Sequence, residues 1–594
     1  MFQRSKKEDS LIKFIHAIPD ILIYQVITKA VLYVVVRLLK ESAVLYLYHL
    51  GRSAFTSGDL PYILRSRQGW ILMIIGLLAV FVYTVFDVNA MFILSDCILH
   101  QKKKSWWIIL KEAFLSLRHF THPQGLFVTL YTGFLGPLIG TAIGFSFMVG
   151  FSAPNFILNY ISSNLWLRVL VLFGVALYLF VMGIYIFTIL YVIFQGQKIN
   201  VGMKSSRYQV TKNWRQFLPS MFGFFLRAAL IWFGILLGLY LFPMGILSLV
   251  TWPVFLERVL KIFFIGAFVI SNYLFMLLFC PFLTMKITVL YEYYEGLQSP
   301  VIYPSRRNVL RNRMACGVLA GVLVGISIIG AKDFDNLFPV RNTARIVAHR
   351  AGGNLSTENT VRALKKSIAY GADVAEIDVQ RTADGHYIIC HDNDLKELTG
   401  KSGDPKELTL EEIKTYRIKN TVSPWEEGDE IATLEEMLDV AKGNIDLFVE
   451  LKGKTADAQM VEDVYEMVKE RDMLSQCVFI CFSYNTVEYI EQYYPDMETG
   501  YLVYFSFGNL EDLNCDDLFV EMECLSASEI NRIHDMDKKV GVWTVNTTSE
   551  LNLWLLSDVD YIVTDEVRGA LALKRFLYKG DDEERILDVM FLWL

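Results

Sequence analysis

Acidic residues are scarce in the first 330 positions of this 594-residue chain, which hold 11 Asp+Glu against 29 Lys+Arg. Long stretches there carry no charge of either sign, which excludes the core of a soluble domain. The eight cysteines show no CxxC pair or other metal-type spacing, which argues against a zinc ribbon or finger. Cys390, Cys477 and Cys481 lie in apolar, strand-like runs and read as buried free thiols. The start, MFQRSKKED, is not followed by a short apolar core with a small-residue cleavage site, so no cleavable signal peptide is expected. Neither a Ser-His-Asp arrangement nor a Gly-rich phosphate loop stands out. Residues 331–594 reverse the charge balance, with 27 Lys+Arg against 52 Asp+Glu. The halves therefore carry +18 and −25 within a total of −7. An acidic second half argues against nucleic acid as a partner. A basic, apolar first half suits membrane lipids, and in particular the anionic cytoplasmic leaflet.

What the first half has in abundance is apolar length. Runs of spanning length lie at about 21–47, 70–97, 124–150, 166–194, 221–249, 259–290 and 314–330. Residues 1–330 are thus expected to form a transmembrane domain of about seven helices. The amphipathic pieces KKKSWWIILKEAFLSLRHF and KSSRYQVTKNWRQFL follow the second and fourth runs and read as interfacial helices. Lys and Arg cluster at the N-terminus and in the loops after the second, fourth and sixth runs. That bias puts the N-terminus in the cytoplasm, and seven crossings then put residue 331 on the extracytoplasmic side. Asp87 is a candidate intramembrane carboxylate.

After a linker at 331–343, short apolar runs alternate with helical patterns from Ala344 onward. Eight of them (RIVAHR, VAEIDVQ, IDLFVELK, VFICFSY, TGYLVYF, LFVEMEC, VGVWTVN and YIVTDE) predict an α/β TIM barrel over 344–575. YIICHD is expected to return as a small hairpin insertion, outside the eight. Catalytic groups in this fold sit at the C-terminal ends of the strands. There the sequence carries His349, Glu376, Asp378, Glu450, Lys452 and Trp543, with His391 brought back by the hairpin. Three carboxylates suit a hard divalent cation, Ca²⁺ or Mg²⁺. Two imidazoles suit proton transfer near neutral pH. Arg350 and Lys452 offer fixed positive charge for a phosphate. Phe482 and Tyr484, at the end of the fourth strand, are candidate pocket residues. The set fits cleavage of a phosphodiester.

At this point the chain resembles a known family. HR at 349–350, ENT at 358–360, EIDV at 376–379, T-x-DG at 382–385, HD at 391–392, ELK at 450–452, VWTVN at 542–546 and TD at 564–565 are similar, in order, to the glycerophosphodiester phosphodiesterases. The apolar half resembles the membrane domain that accompanies this enzyme domain in some bacterial members. The resemblance implies a metal-dependent hydrolase, with Glu376, Asp378 and Glu450 as metal ligands and His349 and His391 as the general acid/base pair. It also implies phosphate contacts from Arg350 and Lys452, a glycerol contact from Trp543, and Glu358 lining the site or holding its loop. The implied substrates are deacylated phospholipids, lysophospholipids or glycerol-phosphate polymers, cleaved to glycerol phosphate and an alcohol. Attack by a glycerol hydroxyl through a cyclic phosphate and direct attack by water both stay open. Ser356-Thr357 precede ENT where the family usually has a proline, and the loop HRAGGNLST is richer in glycine. These departures touch loop stiffness and leave every expected position filled.

An alternative function is a transporter or lipid-handling membrane protein with an accessory phosphodiesterase domain, since seven spans exceed what anchoring needs. The tail, 576–594, mixes acids with an apolar finish and is compatible with docking on the barrel, a membrane or a second protomer.

Overall fold

The computed structural model describes residues 2–49, 54–56, 67–100, 102, 104–120, 125, 161, 164–297, 306–338, 343–420, 428–504, 506–577 and 582–592. The chain divides into two compact units. One comprises Met1–Leu39, Gln68–Phe151 and Phe156–Leu337; the other comprises Lys40–Arg67, Ser152–Asn155 and Phe338–Leu594.

The first unit is helical. Among the described residues, five segments are long and apolar enough to cross a membrane: Ile21–Leu39, Gly69–His100, Leu165–Gln195, Trp214–Leu249 and Val254–Tyr294. The expected run at 124–150 lies outside the described residues. The run at 314–330 is a shorter apolar helix, Gly317–Lys332, at the end of a helix that begins at Arg306. The first amphipathic piece forms the helix Trp106–Ser116; the second is divided between the helix Ile199–Lys212 and the start of the apolar segment Trp214–Leu249. Local chemistry sets the ends of several elements. The Asn164 side chain accepts from the Trp166 and Leu167 amides at the start of one span. Gly196, in the left-handed conformation, ends Thr188–Gln195. Asp87 is 1 % exposed; it accepts from the Tyr24 hydroxyl at 2.8 Å and lies 3.8 Å from the Lys29 ammonium. Burial of that carboxylate is offset by the two partners on the first helix.

The second unit is a closed barrel of eight parallel strands. They are β1 (Arg345–Ala348), β2 (Val374–Arg381), β3 (Asp446–Leu451), β4 (Cys477–Cys481), β5 (Thr499–Val503), β6 (Asp517–Glu521), β7 (Lys539–Trp543) and β8 (Tyr561–Thr564). Each pairs with its neighbour in chain order, and β8 pairs with β1 to close the ring. The strand Tyr387–Ile389 turns back antiparallel on β2, as the hairpin reading requires. All eight strands expected from the sequence are present.

Strand alternation divides the side chains between two layers. Val347, Val374, Phe448, Val478, Ile480, Leu502, Phe519, Tyr561 and Val563 fill the interior. Residues of the opposite parity, such as Ile346, Ile377, Val449 and Phe479, join the larger core between strands and helices. The interior plug is aromatic: Phe448 lies 4.9 Å from Phe519 and 5.0 Å from Tyr561, centre to centre. Gly500 and Gly541 make room for it, because a Cβ at either would meet the Phe519 ring at 2.6 or 2.5 Å. The barrel is therefore closed at its base, and the next interior positions along β2 and β3 are Glu376, Asp378 and Glu450.

Candidate active site

The interior parity that buries Val374 and Phe448 also aims Glu376, Asp378 and Glu450 into the barrel mouth. They are 4 %, 1 % and 7 % exposed, and each offers an oxygen within 4.8 Å of the others. Three buried carboxylates repel one another and need compensation. Lys452, two residues past Glu450 and so on the same face, supplies part of it. Its ammonium is 2.9 Å from Asp378 Oδ1 and 2.9 Å from Glu450 Oε1. Asn359 donates to Asp378 Oδ2 at 2.7 Å, and the Arg350 amide donates to Glu376 Oε2 at 2.7 Å. Glu376 Oε1 is buried with no hydrogen-bond partner.

The electrostatics follow from this arrangement. Burial pushes the Glu376 carboxyl up to about 8, and the Asp378 charge adds to the rise. Burial pushes Glu450 up to about 7 against the opposing charge of Lys452. Burial opposes ionisation of Asp378 too, yet Lys452, His391 and Arg350 together hold it below the usual carboxylate range. A pocket of three carboxylates with one oxygen orphaned and two carboxyls held too basic suits a cation in the chemistry of its donors. These residues can hold a divalent metal, and nothing in the donor set selects Ca²⁺ over Mg²⁺.

The two histidines differ in their surroundings. His349 follows β1, and its Nδ1 is 2.7 Å from Asp565 Oδ1. The other Asp565 oxygen accepts from Asn546 at 2.7 Å. Burial works to lower the His349 pKa, but Asp565 and Glu376 more than offset it, and the net shift is upward. His391 comes from the hairpin, and its Nδ1 is 2.7 Å from Asp392 Oδ1. Burial dominates there, and the net shift is downward. Gln380 secures the His391 loop by donating to the carbonyls of Cys390, His391 and Asp392 at 2.8, 3.2 and 3.0 Å. Arg350 adopts a left-handed backbone, φ 47°, that non-glycine residues seldom take. Its guanidinium donates to Glu358 at 2.9 Å, so Glu358 holds the arginine.

Trp543 and Phe482 form an aromatic wall, with ring centres 5.6 Å apart near a right angle. Tyr504 extends it, 6.1 Å from Phe482. Tyr484 is placed elsewhere. It opens the helix Tyr484–Tyr493, packs against the outer core, and lies 5.2 Å from the Tyr501 ring. The expectation that Tyr484 accompanies Phe482 assumes that strand alternation continues; the strand ends at Cys481 and the helix starts at Tyr484, so that parity is lost.

The structure thus brings together His349, Arg350, Glu358, Glu376, Asp378, Glu450 and Lys452, with His391 also facing the Asp378 carboxylate. Asn359, Asn546, Gln380 and Asp565 are site residues that the sequence reading does not single out. The ENT, VN and TD motifs carry the signal for three of them.

The fold and site define a phosphodiesterase of the TIM-barrel class, and comparison with known proteins narrows this. Residues 349–568 match the glycerophosphoryl diester phosphodiesterase family, and residues 7–327 match the membrane domain of glycerophosphoryl diester phosphodiesterase. The chain belongs to this family and is a glycerophosphodiester phosphodiesterase with a membrane domain. It is similar to the glycerophosphodiester phosphodiesterase of Caldanaerobacter subterraneus, 28% identical over 240 residues that cover 39% of this chain and 97% of the relative. It is also similar to the Bacillus altitudinis enzyme of the same name, 23% identical over 236 residues, covering 37% of this chain and 94% of the relative. Among solved structures, it resembles the Oleispira antarctica phosphodiesterase in complex with the product sn-glycerol-3-phosphate. That match has 24% identity and a TM-score of 0.36, and covers 39% of this chain and 96% of the neighbour.

Proposed function

We propose that the barrel hydrolyses glycerophosphodiesters, whether deacylated phospholipids, lysophospholipids or glycerol-phosphate polymers, to glycerol phosphate and an alcohol. Catalysis is by His391 and His349 around a divalent cation held by Glu376, Asp378 and Glu450. The single observation that carries this reading is the buried carboxylate trio with an orphaned Glu376 oxygen beside two imidazoles of opposite pKa shift. The cation, when bound, supplies Lewis-acid polarisation of the phosphate. Arg350 and Lys452 add fixed positive charge for its oxygens. The faces of Trp543 and Phe482 receive the glycerol carbons.

His391, whose neutral form burial favours, accepts the proton of the attacking glycerol hydroxyl as its oxygen bonds to phosphorus. His349, whose protonated form Asp565 favours, donates to the oxygen of the departing alcohol as that P–O bond breaks. The product of this step is a cyclic glycerol phosphate. Water then attacks, giving its proton to the now neutral His349, while His391 returns its proton to the ring oxygen that leaves. Direct attack by water requires only one such exchange, and single-turnover trapping distinguishes the routes by the presence or absence of the cyclic phosphate.

The barrel acts on the extracytoplasmic side in this reading, as the charge bias of the loops predicts. The test is release of glycerol phosphate from a substrate panel by the full chain in detergent, with and without EDTA. Release that EDTA abolishes, and that His391→Ala and Glu376→Ala each reduce at least 100-fold, supports the assignment. Full activity in both variants overturns it.

A further inference from the structure

The segment between the first two long helices does not group with the helical unit. Lys40–Arg67 belongs with the barrel. Its strand Ala54–Thr56 pairs antiparallel with Ser506–Gly508, with Ala54 opposite Gly508 and Thr56 opposite Ser506. This is strand addition by a piece of chain some 450 residues distant, with side-chain anchors to match. Thr56 Oγ1 lies 2.5 Å from the Tyr501 hydroxyl, the two residues being 1 % and 0 % exposed. Ala54 is 1 % exposed and belongs to the barrel's own core. The Tyr48 hydroxyl donates to Asp512 at 2.9 Å and accepts from Asn509 at 3.3 Å.

The loop held this way leaves the C-terminal end of β5, on the same face of the barrel as the carboxylate trio. Tyr504, the outer member of the aromatic wall, lies between β5 and Ser506 on that loop. Tyr504 adds a third ring, beside Phe482, to the pair that Trp543 and Phe482 form. An apolar surface of that extent suits an alkyl or acyl chain rather than a second polyol.

We propose that the strand Ala54–Thr56 is a specificity-determining part of the active-site rim. It fixes the β5 loop and Tyr504 so that the wall accepts a glycerophosphodiester bearing an apolar chain, such as a lysophospholipid. The substrate part of this inference rests on the reading given under Proposed function. A topological corollary stands apart from it: the segment after the first span and the barrel share one side of the membrane.

Three measurements on the full chain test it. Thr56→Cys with Ser506→Cys is expected to form a disulfide on mild oxidation, since antiparallel partners have the required spacing; failure to cross-link in a folded, active protein overturns the pairing. Impermeant maleimide is expected to label Tyr48→Cys and Tyr493→Cys, both at exposed positions, from the same side of sealed vesicles; labelling from opposite sides also overturns it. Thr56→Val is expected to raise KM for a lysophospholipid about 10-fold, leaving kcat and the KM for glycerophosphoglycerol within about twofold, and Tyr504→Ala is expected to raise the lysophospholipid KM at least as much. Equal losses on both substrates would reduce the strand to a structural prop. If wild type cleaves neither substrate, the proposed activity fails, while the cross-link and labelling still decide the pairing.

Discussion

Asp565 holds His349 at 2.7 Å through one oxygen and is itself fixed by Asn546 through the other. The pair spans 216 positions of sequence and joins the ends of β8 and β1, which close the barrel. Asp565 raises a pKa that burial alone would lower. Asp565→Asn removes the charge and keeps the shape, so the His349 pKa falls. A histidine acting as general acid must be protonated, so the alkaline limb of the kcat profile moves to lower pH. The variant is expected to lose about 100-fold in kcat at pH 8 and distinctly less at pH 6. A pH–rate profile reads this directly, and an alkaline limb that stays in place speaks against the acid role.

The carboxylate trio predicts linked metal and proton binding. With Glu376 pushed up to about 8 and Glu450 to about 7, both carboxyls carry protons in the metal-free site at mildly acidic pH. A divalent cation must displace them. Affinity for Mg²⁺ or Ca²⁺ is therefore expected to rise with pH and to level off above pH 8. Calorimetry in two buffers of different ionisation heat is expected to show proton release at pH 6.5 and little at pH 9. Glu376→Gln is expected to abolish the metal-dependent rise in thermal midpoint, which saturating cation gives wild type by mass action, about 2.7 kcal/mol at 100 times Kd.

A third prediction concerns stability at the opposite end of the barrel. Asp517 opens β6 at 1 % exposure, and neither of its carboxylate oxygens has a hydrogen-bond partner. Burial pushes it up to about 8, with Lys539 opposing. Its folded pKa lies above the unfolded value near 3.9, so the folded state holds the proton more tightly and stability falls as pH rises between the two. Asp517→Asn is expected to raise the unfolding midpoint, and the gain grows by about 1 kcal/mol per pH unit between pH 5 and pH 8. Thermal melts followed by tryptophan fluorescence check it; a gain that does not change with pH removes Asp517 as the cause.

Much of this molecule was legible because strand period and chemistry coincide. EIDV and ELK put Glu376, Asp378, Glu450 and Lys452 on the interior parity, and the apolar residues before them mark the same face as core. Eight apolar runs ending in polar residues were enough for the barrel. Partnerships across the chain were not legible. Nothing near His349 points to Asp565, and nothing in the three residues AFT at 54–56 points to a loop at 506–508. Hydropathy marks only the apolar part of the last helix, which begins at Arg306 and turns apolar near Gly317.

Phe482 and Tyr484 give the sharpest contrast between reading by parity and reading by contact. The sequence offers both as pocket residues, but the ring of Phe482 faces Trp543 at 5.6 Å, while Tyr484 packs on Tyr501 and accepts the Asn514 amide at 2.9 Å. Phe482→Ala opens the wall proposed to receive the substrate carbons, and is expected to raise KM about 10-fold with a smaller change in kcat. Tyr484→Phe removes one hydrogen bond outside the barrel, at a cost of about 1 kcal/mol in stability and none in KM. Steady-state kinetics and a thermal melt on the two variants separate these effects. A KM that rises in Tyr484→Phe but not in Phe482→Ala would mean that substrate approaches between the β4 and β5 loops from outside the barrel rather than over its mouth.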